Sequence, residues 1–197
     1  MTCNHRRPGL LAAGALFAAL ISGCSAPDND PNNQIPITMD GWRDLRIGAP
    51  FSTLEPHIDD NTIDYTFPPC TSYQILADTP RAMAVIVDDS TMTIAEIRIG
   101  GVSGAKTKDG LGLGATLQDV RDIPGSEATY IPNEEYTGSE VRKSNMGDLV
   151  IDWADPQHPG TASDPSRGIR YETWRSSDSL ASIAVGDYLA NGDTVCD

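Results

Sequence analysis

Lysine is nearly missing from this chain: only Lys106, Lys108 and Lys143 occur, and the eleven arginines are scattered. Against 28 acidic residues this leaves a formal net charge of −14. A nucleic-acid interface needs clustered cations that release counterions from phosphate, so that class of function is excluded. Histidine and cysteine are equally scarce, at three and four residues, and none of them stands at a Cys-x-x-Cys or Cys/His zinc spacing. The chain has no P-loop, dinucleotide fingerprint or nucleophile elbow. Gly110-Leu111-Gly112-Leu113-Gly114 is glycine-rich without the spacing those motifs need. No apolar run reaches the roughly 20 residues of a membrane-spanning helix.

What is present begins with Arg6 and Arg7, followed by the uncharged stretch Leu10 to Ile21 and the small residues Ser22 and Gly23. A basic start, an apolar middle and a small-residue end predict a secretory signal peptide over residues 1–23. The order Leu20-Ile21-Ser22-Gly23-Cys24 resembles a bacterial lipobox. That resemblance implies a diacylglyceryl group on the Cys24 thiol, cleavage before it, and further acylation, for example by palmitate, of the new amino terminus. Two or more acyl chains hold a protein stably where one is marginal. The residues themselves also fit an ordinary thiol beside a conventional cleavage site.

The expected place is therefore the cell envelope, on the extracytoplasmic side of the cell membrane or of the outer membrane in a two-membrane host. The membrane itself is a partner, through the lipid. Loss of residues 1–23 removes two arginines and no acid, taking the net charge from −14 to −16, and such a body is repelled by anionic headgroups. Residues 24–40 combine the lipidated Cys24 with a Pro-, Asn- and Asp-rich flexible tether. Asp28-Asn29-Asp30 begins like a calcium loop, but Met39 stands where the bidentate Glu belongs. In an oxidising compartment the remaining pair, Cys70 and Cys196, reads as a disulfide.

The body contains an internal match. Leu45-Arg46-Ile47-Gly48-Ala49-Pro50-Phe51-Ser52-Thr53-Leu54 and Leu111-Gly112-Leu113-Gly114-Ala115-Thr116-Leu117-Gln118-Asp119-Val120 share L-x-[IL]-G-A-x-[FL]-x-x-[LV]. Each opening alternates like a strand, breaks at glycine, then spaces its apolar residues three or four apart as on a short helix. A second match, Thr93 to Gly100 with Ser179 to Gly186, alternates as half-buried strands do. Further strand candidates lie between, with Met83, Val85 and Val87 on one face in the first unit and Leu149, Ile151 and Trp153 in the second. The predicted fold is α+β: two tandem repeats, 41–104 and 105–197, each a short helix packed on an antiparallel sheet.

Candidate chemistry is thin. His57 and His158 each adjoin a proline and have no partner at metal spacing. His158, Asp155 and Ser163 supply the residue types of a hydrolase triad, but a triad requires fixed geometry on rigid elements. The acidic clusters Asp59-Asp60, Asp88-Asp89, Glu134-Glu135 and Asp152 with Asp155 fit turn chemistry and solubility; calcium ligation is the alternative they allow. The Pro-, Gly- and Ser-rich stretch from Asp155 to Gly168 is either a functional or a disordered loop. Trp42, Trp153, Trp174, Tyr171 and Tyr188 could form a recognition surface, although alternation assigns Trp153 and Tyr171 to the core. No catalytic residue, metal ligand or cofactor is assigned.

The two openings resemble the start of the repeats in the β-lactamase inhibitory proteins and in the small lipoproteins of the outer-membrane barrel-assembly machinery. About ten residues per repeat carry the resemblance, and the Met-Thr common after the glycine is Ala49-Pro50 and Ala115-Thr116 here. It implies a helix-plus-sheet binding module. The expected function is that of a lipid-anchored, non-catalytic binding or accessory module, an envelope protein being the candidate partner; the alternative is a calcium-dependent or hydrolytic secreted enzyme using the acidic loops.

Overall fold

The computed structural model describes residues 35–75, 83–100, 104–124, 128–135, 146–161, 164–175, 177–189, 191–194 and 196. The leader, Cys24, the tether up to residue 34 and Ser163 lie outside them. Strands β1 (Gly41–Trp42) and β2 (Leu45–Arg46) form a small ribbon. Next come β3 (Ile63–Phe67), β4 (Cys70–Ile75), β5 (Met83–Asp88), β6 (Thr93–Ile99), helix α1 (Leu117–Arg121), β7 (Thr129–Ile131), β8 (Met146–Trp153), β9 (Ser166–Trp174) and β10 (Leu180–Tyr188). These eight strands make one antiparallel sheet in the order β3-β4-β5-β6-β10-β9-β8-β7.

The expectation of an α+β fold is overturned, because the described residues are mostly antiparallel strand and their α-helix is the five-residue α1. Apolar spacing of three and four over a single turn cannot specify a packed helix, since nucleating that turn costs more than its few hydrogen bonds return. In the first opening, Phe51–Thr53 and Glu55–His57 form 3-10 turns, and Pro56 lies in the first turn of the second, where it has no amide to continue an α-helix. In the second opening, Thr116 and Asp119 form a reciprocal capping box, which lets α1 begin.

The matched segments dock alike. Gly48 N–H donates to Ile94 at 2.8 Å and Ile94 N–H to Ala49 at 2.9 Å; Gly114 donates to Leu180 at 3.3 Å and Leu180 to Ala115 at 2.7 Å. Both glycines have positive φ, 79° and 91°, so a residue with Cβ would be strained at either turn. Each opening is thereby fixed to the first residues of a central strand. Those strands, β6 and β10, lie side by side with Ile97 opposite Val185 and Ile99 opposite Ile183.

The two sheet faces are packed differently. One carries the main core, in which Val85, Ile97, Ile183, Val185 and Tyr171 meet Trp42, Leu54 and Val120 from the covering segments. Met83, Val85 and Val87 belong to this core, whereas Leu149, Ile151 and Trp153 belong to a second cluster with Ile131 and Tyr188. Among the residues of the second half that join the first trio in the main core are Ile169 and Tyr171. They lie on β9, which borders β10 as β5 borders β6.

The disulfide is present: Cys70 on β4 is bonded to Cys196 across a sequence separation of 126, with Cα atoms 5.6 Å apart. Together with Ile86 the two cysteines form a third buried cluster. The terminal segment is held at intermediate points by Leu189 N–H donating to Asp193 and by a bridge between Tyr188 and Thr194.

Candidate functional site

An open groove of about 610 Å³ lies between α1 and one end of β7, β8 and β9. Trp174, the last residue of β9, is 54% exposed, while the chain's other tryptophans, Trp42 and Trp153, are buried. Gly147 on β8 faces the groove; a Cβ there would come 2.4 Å from Thr173 Oγ1 and 2.7 Å from the Trp174 carbonyl. The β8–β9 pairing shifts register between Met146 and Leu149, and the bare glycine admits this irregularity.

The groove wall is ordered by the Asp148 carboxylate, which accepts from the Tyr130 hydroxyl and, at 3.1 Å, from the Asn133 amide. The bond to Asp148 raises the Tyr130 hydroxyl above the ordinary phenol range, since it holds the proton. The Arg121 guanidinium lies 4.2 Å from the Tyr130 ring centroid, a cation–π distance. Gln118 of α1 and Arg175 and Asp178 beyond β9 complete the polar rim.

A second constellation is buried except for Arg98, whose side chain is 32% exposed. On the sheet face opposite the main core, Glu96 accepts from Arg170 Nη2 at 2.8 Å and is paired with Arg98 at 2.5 Å. Arg170 Nε lies 3.0 Å from Glu172, which also accepts from Ser182 Oγ at 2.5 Å. The terminal segment closes over the group, with the Gly192 carbonyl accepting from Arg170 Nη1 at 2.7 Å and the Tyr188 ring centroid 4.6 Å from the guanidinium. Buried ions of this kind must be compensated by partners, and two acids and two bases compensate one another here. Sequence reasoning passed over these residues. The available signal was an acid and a base at alternate positions in each of two strands, Glu96/Arg98 and Arg170/Glu172.

The expected chemical residues are dispersed. His57 Nε2 lies 3.2 Å from Asp44. His158 Nδ1 lies 2.7 Å from Asp155 in an exposed i,i+3 pair, and that contact holds the Asp155 carboxyl below its ordinary range. Among the described residues, the Ser166 hydroxyl donates to the His158 backbone carbonyl at 2.8 Å; Ser163, the hydroxyl weighed for a triad, lies outside them. Asp88 accepts from the amide and hydroxyl of Ser90 and from Thr91; Asp59 accepts from the Asn61 amide. These are turn-forming roles. Among the described residues, no three His, Cys, Asp or Glu come together as a metal site.

In the stretch 155–168, Gly160 is buried, and a Cβ there would lie 2.0 Å from the Tyr188 carbonyl. From Ser166 onward the stretch is strand β9. Of the aromatic residues weighed as a surface, Trp42, Trp153, Tyr171 and Tyr188 are buried and Trp174 alone is exposed. Burial keeps the Tyr171 hydroxyl protonated far above its ordinary range.

The fold and its groove define a sheet protein with an open lateral cleft. Comparison of the chain with family models, curated proteins and solved structures finds no match.

Proposed function

We propose that this protein is a lipid-anchored, non-catalytic binding module of the cell envelope, held by Cys24, that takes its ligand in the groove beside α1. The observation that carries this reading is the exposed Trp174 indole over a groove whose polar wall is already ordered by Asp148. Exposed aromatic side chains are recurrent anchors of recognition surfaces. The lipobox at Leu20 to Cys24 supports the anchoring, and the excess of acid in the body supports a domain that stands off the lipid surface.

The test is site-specific photocrosslinking in the native envelope. A crosslinker replacing exposed Gln118 should give a discrete adduct, and one replacing exposed Thr66 on β3 should not. Equal adducts at both positions would remove the groove from consideration. Replacing Cys24 by Ala should abolish fatty-acid labelling and release the protein from membranes.

A further inference from the structure

The groove's chemistry points to a more specific occupant. Among the described residues, its lining cations, Arg121 and Arg175, are matched by its lining acids, Asp148 and Asp178, so these side chains offer no net charge to a strongly ionic ligand. Both Asp148 oxygens are engaged, by Tyr130 and by the Asn133 amide, which makes this acid an orienting group. Tyr130 has one ring face taken by Arg121. Among the described residues, what the groove offers a ligand is the exposed Trp174, with Gln118, Arg121 and Arg175 in the same lining; the Gln118 amide also donates to Asp122 at 2.8 Å.

We infer that the groove binds a neutral oligosaccharide, one sugar ring lying on Trp174 and its hydroxyl edge meeting the amide and guanidinium groups. A pyranose presents an apolar C–H face and a polar rim, and a single aromatic platform within a polar border complements both. A peptide anchored by large apolar side chains needs an enclosed apolar pocket, which this open, mostly polar groove does not supply. An extended proline helix docks in aromatic-lined grooves, and here Arg121 already occupies a face of the second ring. The inference rests on the groove being the binding site.

The test uses the full chain in detergent, titrated separately with chitotetraose, cellotetraose, maltoheptaose and a proline decamer, with tryptophan fluorescence and calorimetry as readouts. Because Trp42 and Trp153 are buried, acrylamide quenching reports mainly on Trp174. At least one oligosaccharide should shield the indole. Its affinity should fall about tenfold or more in Trp174→Ala, a loss typical of an anchoring aromatic, and recover in part in Trp174→Phe. Tyr65→Ala, which removes a similarly exposed ring on the far edge strand β3, should leave it unchanged. Shielding by the proline decamer alone, lost in Trp174→Ala, would overturn the saccharide assignment and keep the groove. If no probe shields Trp174, or if binding survives Trp174→Ala, both the assignment and the groove reading are overturned.

Discussion

Arg170 on β9 reaches across the whole width of β10 to the Glu96 carboxylate on β6, a contact of 2.8 Å between two side chains with no solvent exposure. The crossing is possible because β10 presents small residues there: Ala184 pairs with Arg170, and Gly186 pairs with Glu96. The ion pair and the small residues beneath it are one structural unit. It joins the two halves of the sheet on the face that the main core does not use.

Replacing Glu96 by Ala should therefore destabilise the protein strongly, by about 3–5 kcal/mol, because it leaves Arg170 buried with less compensation. Urea denaturation followed by circular dichroism measures the loss. A change within about 0.5 kcal/mol, the range of ordinary surface substitutions, would show that the pair is not buried as described.

The disulfide should act on the same face. Cys70→Ser/Cys196→Ser, or reduction, frees the terminal segment that carries the Gly192 carbonyl to Arg170. For so long a loop the chain-entropy model gives up to about 5 kcal/mol. The thermal midpoint should drop on adding a reductant, and the double variant should show the lower midpoint without it. An unchanged midpoint would count against the tether. Non-reducing peptide mapping should recover the Cys70–Cys196 linkage directly.

How far the sequence revealed this arrangement depended on period. Strands announced themselves by alternation: Thr93 to Ile99 and Leu180 to Tyr188 form strands and pair at the sheet centre. The expected helices rested on two or three apolar positions at helical spacing, too few to distinguish α1 from the 3-10 turns around Pro56. The Cys70–Cys196 pairing followed from scarcity, since few cysteines leave few partners. The buried ion network was not legible, because alternating charges in a strand ordinarily face water, and only the strand order brings Glu96 over β10 toward Arg170. Trp174 could be selected from the other aromatics only once burial was known.

The capping box should decide whether α1 forms. Thr116 Oγ1 accepts from the Asp119 amide at 3.2 Å, and the Asp119 carboxylate accepts from the Thr116 amide at 2.7 Å. Thr116→Ala should cost about 1 kcal/mol of stability. Amide exchange across Leu117–Arg121 should accelerate while exchange in β6 and β10 stays slow. Acceleration spread evenly over the sheet would mean that the cap acts globally and not on the helix.

Acid should destabilise the protein through its turns. Hydrogen bonds from the Ser90 side chain, and then from the Ser90 amide and Thr91, hold the Asp88 carboxyl below its ordinary 3.8. Those to Thr116 do the same for Asp119, and the His158 contact does so for Asp155. As pH falls through the ordinary carboxylate range, the unfolded chain takes up protons before these folded carboxylates do. The stability they confer is thus complete above the unfolded value and lost as pH drops through the lower folded values. Urea midpoints should be nearly level from about pH 7 to pH 5 and decline below about pH 4. Asp88→Asn should lower the midpoint at neutral pH and flatten the acid decline, since the variant has no proton to take up at that turn. An acid decline as steep in Asp88→Asn as in the parent chain would assign the acid sensitivity to other carboxylates.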